Sequence, residues 1–239
     1  MGSVELLGIV EQSDNPRHGV QNTISLQYST ALRQTARLFP EAISIFHSPE
    51  TAERKEWKKK CESKGDICYN RHLPIGKCYL LTKTFNAAAE DIFQHHWNEI
   101  EDTPSWNPQV HAVEKVVSLS PTADIIHYST SDVVVVKGRD FVVCRMWRRI
   151  EDEWFVVAAS FENDIPVWPK KKRGQANIVA GCFRQKKGDP ETAIVDYLVS
   201  VDFPGTSIPK AVLSKNIAEM LVADARYAEK HLAERKAKK

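Results

Sequence analysis

Residues 138–150 read GRDFVVCRMWRRI, and this run decides what kind of sheet the chain builds. Successive side chains of a strand leave by opposite faces, so Phe141, Val143, Arg145 and Trp147 share one face and Val142, Cys144 and Met146 the other. Both faces are apolar, which predicts a strand covered on both sides. Arg145 is the exception. A buried guanidinium is costly unless it is fully hydrogen-bonded, so either the interior holds a polar pocket or Arg145 packs its stem and sends its head to water.

Working outward, residues 110–119, 124–131, 139–150, 153–161, 176–185 and 192–203 are short apolar or alternating runs separated by turn clusters. That is the pattern of a curved antiparallel sheet. Residues 66–84 alternate about Pro74-Ile75-Gly76 and predict a hairpin. Residues 21–63 place apolar side chains at helical spacing, interrupted near Pro40 and Pro49, with Lys58, Lys59 and Lys60 as a solvated helix face. Asn86 is expected to cap a helix running through Trp97, and Trp106-Asn107-Pro108 ends the helical stretch. His95 and His96 are helical neighbours that do not face one site, so a structural role is expected and a metal role is not. A long final helix spans residues 208–234, with Pro209 in its first turn and Val212, Ile217, Met220, Leu221, Ala225, Ala228 and Leu232 along one face.

These elements predict an α+β domain over residues 21–235, a twisted antiparallel sheet wrapped around the C-terminal helix. A loosely held lead of residues 1–20 precedes it and a basic tail of residues 236–239 follows. If side chains fill the space between sheet and helix, the result is a packed core; if they do not, it is an apolar ligand cavity.

Composition narrows the function classes. The 239 residues are 42% hydrophobic, and 33 basic against 31 acidic residues leave a net charge of +2, so no global field draws the chain to nucleic acid. Five cysteines form no C-x-x-C pair and are odd in number, which predicts free thiols in a reducing, cytoplasmic setting and no zinc site. No run is long enough to span a bilayer and no secretory core opens the chain. Nucleophile-elbow, zinc-protease and phosphate-loop motifs are missing, so the expectation is a protein that is not an enzyme and carries no cofactor.

Several landmarks stand in a common order: Trp57-Lys58-Lys59, Gly65-Asp66, Gly76-Lys77, Trp106-Asn107-Pro108-Gln109-Val110, Arg139-Asp140-Phe141-Val142 with Arg145, and Ile208-Pro209-Lys210. Together they resemble the START lipid-transfer domains, most closely the branch of the steroidogenic acute regulatory protein, which carries sterols and in some animals carotenoids. The resemblance implies the helix-grip fold, with a long curved antiparallel sheet around an internal apolar tunnel. The C-terminal helix and a loop between two later strands would form its lid. It implies a monomer that carries one sterol or similarly sized isoprenoid lipid between membranes; a lipid-sensing interaction module, or an enzyme using the same cavity, is the alternative.

The same resemblance puts Arg145, Asn107, Tyr128, Trp147, Thr103, Met220 and Asp224 on the ligand-facing wall. In the sterol-binding relatives an acidic residue pairs with the arginine, and counting from Trp106 puts Tyr128 in that acid's place. Arg145 would then meet Tyr128, water, Asp224 or the ligand. The loop of residues 162–174 joins Ile165, Val167 and Trp168 to Lys170, Lys171, Lys172 and Arg173. Such a basic run also reads as a nuclear-import signal or a solvated loop. Placed on the tunnel's lid, it is expected instead to touch anionic membrane transiently through Trp168 and the four cations.

Overall fold

A computed structural model of the chain describes residues 3–6, 9–12, 21–133 and 136–238. In chain order the strands are β1 Ser3–Leu6, β2 Ile9–Gln12, β3 Lys58–Ser63, β4 Asp66–Leu73, β5 Gly76–Phe85, β6 Val110–Ser120, β7 Ala123–Thr130, β8 Arg139–Ile150, β9 Glu153–Ser160, β10 Lys172–Arg173, β11 Gln175–Lys186 and β12 Asp189–Asp202. The helices are α1 Gln21–His47, α2 Pro49–Ala52, α3 Ala89–Asn98, α4 Thr103–Trp106 and α5 Lys210–Lys236. Among the described residues β3 to β12 form one sheet of ten strands, ordered β3-β4-β5-β12-β11-β9-β8-β7-β6, with β10 added parallel to β8. Every other pairing is antiparallel.

The two apolar faces of β8 have different covers. Val142, Cys144 and Met146 pack beneath α1, in one cluster with Ala31, Leu32, Ala36, Phe39, Ala42 and Phe46. Thr35 Oγ1 adds a hydrogen bond to the Cys144 carbonyl at 3.3 Å. Phe141 and Val143 look the other way, into the concave side, where α5 seats Ile217, Ala218, Leu221, Val222 and Ala225 against Cys68, Tyr79 and Leu81 of β4 and β5. This is the helix-grip arrangement that the strand pattern and the family landmarks predict.

Several local expectations are corrected. Pro40 lies within α1, exposed, and does not end it; on the solvent side its missing N–H costs one bond without burying an orphan. Lys58-Lys59-Lys60 is edge strand rather than helix, because α2 stops at Ala52 and Arg54 and Glu56 turn the chain at positive φ. Helix α3 starts at Ala89, not at Asn86. Its first N–H is met from outside, by Gln185 Oε1 of β11 at 3.0 Å. In the expected loose lead, β1 and β2 pair with each other; its other residues fall outside the described ones.

Both edges of the main sheet are irregular. Edge strand β6 slips register against β7 at three places along its length, and edge strand β3 carries a shift between Lys59 and Cys61. Gly138 shows why the GRDFV run opens on glycine, since a Cβ there would stand 2.1 Å from the Thr130 carbonyl oxygen, a backbone atom that cannot swing aside. Gly138→Ala should therefore destabilise the fold by about 1–3 kcal/mol. A lowered urea midpoint at unchanged m-value would show it, and an unchanged midpoint would mean that the β7–β8 entry relaxes freely.

Candidate functional site

Between the concave face of the sheet and α5 lies a cavity of about 300 Å³, lined mostly by apolar side chains such as Phe141, Val179, Val199, Phe203, Ile217 and Leu221. Its polar lining includes Asn107, Gln109 and Asp224, which bond to one another, and His96 and Tyr197, which do the same. Thr103, Asn107, Tyr128, Met220 and Asp224, all named from the sequence, line it, whereas Arg145 and Trp147 do not. Trp147 packs instead against Phe93, ring centroids 5.0 Å apart, and its indole N–H donates to Pro121 O at 3.3 Å.

Arg145 has its carboxylate after all. The β7–β8 register sets Asp124 opposite Arg145 and Tyr128 opposite Phe141. Counting from Trp106 fails because the path runs through the bulged β6. Arg145 Nε donates to Asp124 Oδ1 at 2.9 Å and Nη2 to Oδ2 at 2.6 Å, with both residues buried. The rest of the fork reaches the His96 and Trp97 carbonyls at 3.3 and 3.2 Å, two of the carbonyls that the end of α3 leaves without helical partners. Arg145 thus caps a helix and locks two strands, behind the cavity wall.

Within this lining, Asp224 of α5 accepts from Asn107 Nδ2 at 2.7 Å and Gln109 Nε2 at 2.6 Å, both on Oδ1. Gln109 also donates to Met220 O, and Asn107 Oδ1 accepts from the Gln109 N–H, so the Asn-Pro-Gln run forms a clamp on α5. Gln109 went unnoticed in the sequence although it stands inside the Trp-Asn-Pro landmark, its side chain being an ordinary surface type without a partner in view. Burial pushes the Asp224 carboxyl up to about 6, against the two amide donors, which lower it.

His95 and His96 were read as structural, yet both line the cavity. His96 Nδ1 donates to Ile92 O at 2.8 Å, which leaves Nε2 to accept from the Tyr197 hydroxyl at 3.1 Å. His95 packs between Trp106 and His231, and neither ring nitrogen has a hydrogen-bond partner among the described residues. Burial first, then neighbouring positive groups, brings His95 down to about 3; burial and Arg145 bring His96 down to about 4. Burial, reinforced by Asp224, raises the hydroxyl pKa of Tyr128 and Tyr197.

The loop before β10 departs from expectation. Trp168 stacks on His127 with centroids 3.8 Å apart and planes 12° from parallel, and its backbone N–H donates to Asp140 Oδ2 at 2.9 Å. Asp140 is fully buried and also receives His127 Nε2 at 2.5 Å and an ion pair from Arg173. Lys171 reaches Thr130 O at 2.8 Å. Two of the four cations, Lys171 and Arg173, are thus engaged within the protein, while Lys170, Lys172 and Val167 are exposed. Among the described residues one polar cluster, His47, Glu153 and Cys182, lies outside the cavity and brings its ligand-type atoms within 4.8 Å of one another. Arg184 already stands 3.7 Å from that thiol, and His47 and Glu153 bond directly at 2.7 Å, so hydrogen bonds account for the group.

A sheet gripping a C-terminal helix around a largely apolar cavity defines a ligand-binding class of domain. The chain belongs to the START domain family, whose profile matches residues 38–238. It is 27% identical over 218 residues to the Steroidogenic acute regulatory-like protein 1 of Caenorhabditis elegans, covering 89% of this chain and 83% of that one. It is 27% identical over 198 residues to the mitochondrial Steroidogenic acute regulatory protein of Danio rerio, covering 80% and 67%. Among solved structures, human StAR-related lipid transfer protein 5 superposes with a TM-score of 0.73 at 17% identity, over 85% of this chain and 96% of that one, a likeness of fold. No helix among the described residues is long and apolar enough to cross a membrane.

Two measurements test this site. Asp124→Asn should cost about 3–5 kcal/mol, because it leaves a buried guanidinium without its counter-charge. A loss below about 1 kcal/mol in urea titration would show that the two carbonyls suffice. Stability should also fall between pH 6.5 and 4, since the unfolded chain protonates its histidines there while native His95 and His96 stay neutral. Asp224 opposes this: its raised native pKa makes the folded state take up a proton as pH falls through about 6, so Asp224→Asn should steepen the decline.

Proposed function

We propose that this START domain is a non-vesicular carrier that holds one sterol, or an isoprenoid lipid of similar size such as a carotenoid, and moves it unchanged between membranes. The observation that carries the reading is the cavity itself, lined mostly by apolar side chains with a minority of polar ones. Burial of apolar ligand surface stabilises by about 2.5 kcal/mol per 100 Å², so the walls supply affinity and polar lining groups such as Asn107, Tyr128 and Asp224 supply orientation. The similarity to steroidogenic acute regulatory proteins of worm and fish supports a sterol in particular. Catalysis finds little footing here: the imidazole nearest a hydroxyl, His96, already accepts the Tyr197 proton and donates to the backbone.

The carrier works in the cytoplasm as a monomer and touches membranes only in passing. Its docking surface is smaller than the basic loop suggests. Exposed Val167 and the free Lys170 and Lys172 meet an anionic bilayer at about 1 kcal/mol per cation, enough for reversible contact. Trp168 enters the interface only when it leaves His127, which couples docking to loop release.

Transfer of a fluorescent sterol between vesicles tests the reading. Wild-type protein should move it chemically intact. Lys170→Gln with Lys172→Gln should slow transfer about tenfold on anionic vesicles at low salt and leave neutral vesicles unaffected. Recovery of an altered sterol would make the protein an enzyme; binding without transfer would make it a sensor.

A further inference from the structure

Cysteines on strands that are not neighbours cannot join without moving backbone, and the sheet order keeps three of the five apart. Cys78, Cys144 and Cys182 sit in β5, β8 and β11, no two of which are adjacent, and all three are buried in the cluster beneath α1. Cys61 and Cys68 differ. They stand directly opposite each other in the antiparallel β3–β4 hairpin, and their thiols lie within hydrogen-bonding reach. Opposite residues of such a ladder have Cα atoms about 4.5 or about 5.5 Å apart, and a disulfide accepts about 4.4–6.8 Å. Cys68 has no second choice. It stands opposite Leu81 in the β4–β5 ladder, whereas Cys78 stands opposite Arg71, three places along β5 and so on the other face of the sheet.

The pair lies beneath α5. Cys68 is fully buried in one cluster with Ile217, Leu221 and Ala225, which also line the cavity, while Cys61 at the sheet edge stays partly exposed. Polar contacts hold α5 to the same hairpin, Arg226 donating to Ser63 Oγ at 2.9 Å and Lys83 of β5 bridging Asp66 and Glu229 at 3.0 and 2.8 Å. Burial raises the pKa of both thiols. At Cys61 the backbone and thiol of Cys68 and the charge of Lys60 offset part of that rise, while Glu219 of α5 adds to it. Reaction at neutral pH is therefore slow, which keeps the pair reduced until an oxidant accumulates.

We infer that Cys61 and Cys68 form an oxidation site of this chain, a thiol pair that a peroxide converts to a reversible disulfide fastening edge strand β3 to β4 beneath α5. The partly exposed member reacts first. Having lost its proton, the Cys61 sulfur attacks a peroxide oxygen; the S–O bond forms, the O–O bond breaks, and the released hydroxide and that proton make one water, leaving a sulfenic acid two electrons poorer. The Cys68 sulfur then attacks the Cys61 sulfur. As the S–S bond forms the S–O bond breaks, and the departing hydroxide takes the Cys68 proton as a second water. Two thiols and one hydrogen peroxide thus give one disulfide and two waters, and an external dithiol reverses the change by exchange. In a reducing compartment such a bond is transient, a response to oxidant rather than a permanent staple.

Treatment of the full chain with hydrogen peroxide at about pH 8, then alkylation of the remaining thiols and tryptic mapping, tests the inference. Trypsin cuts after Lys60, Lys64 and Arg71, so the bond should join peptide 61–64 to peptide 65–71 at two hydrogens below their summed mass. Dithiothreitol should separate them again. Cys68→Ser, checked for an intact fold by circular dichroism, should hold Cys61 at the sulfenic stage, where dimedone labels it. Cys61→Ser should slow oxidation of Cys68 by about tenfold or more, because a buried thiol without its partner is inert. The inference is overturned if peroxide leaves Cys61 untouched in the wild-type chain, or carries it to the sulfinic acid with no linked peptide. A bond from Cys61 to another cysteine or to a second chain overturns it equally. No lipid enters the experiment, so its outcome is independent of the carrier reading.

Discussion

One ion pair sets the terms for the rest of the molecule. Removing a guanidinium and a carboxylate from water costs several kcal/mol each, repaid only when geometry is good and every remaining donor is met. Arg145 and Asp124 come close to both conditions, bidentate across the β7–β8 ladder and with two further N–H groups met by carbonyls at the end of α3, four of the five donors in all. Strand register, helix position and the inner wall of the cavity are thereby bound to a single interaction. The pair also decides the sign of the cavity. With the arginine consumed, Asp224 is the one acidic or basic side chain, histidines aside, that lines the cavity among the described residues.

A second buried carboxylate does for the outer loop what Asp124 does inside. Asp140 follows Arg139 at the start of β8 and draws in His127, the Trp168 N–H and Arg173. Four consecutive cations suggest a uniform patch in sequence, but the fold divides them. Lys171 and Arg173 face inward to oxygens of β7, β8 and the loop itself, leaving Lys170 and Lys172 to solvent. Charge runs reveal composition; only the path of the backbone reveals which members are free.

The architecture was legible because its signals are local. Alternation in residues 138–150, turn clusters between the later strands and a long apolar helical face each report on a few neighbours, and they agreed with the family landmarks. What could not be read depends on geometry between distant segments. The partner of Arg145 was misassigned because bulges in β6 break any count that runs through it. Edge strand β3 was taken for helix because Lys58, Lys59 and Lys60 supply no apolar alternation, the strand being exposed at both ends. Gln109, His95 and Tyr197 reach the cavity through the pairing of elements far apart in sequence, which no spacing records.

The irregular margins of the sheet carry a consequence for the protein's life at high concentration. An open sheet, unlike a closed barrel, ends in two rows of unpaired N–H and C=O groups that could template a neighbouring chain. Here one margin is β6, whose repeated slips bend the strand away from a straight ladder, and the other is β3, kinked once and set with Lys58, Lys59 and Lys60. Strand addition from outside would have to accommodate those kinks on one side and crowd like charges together on the other. The deformations that defeat residue counting are thus also a guard against fibril-like growth, which a protein handling greasy cargo has particular reason to keep.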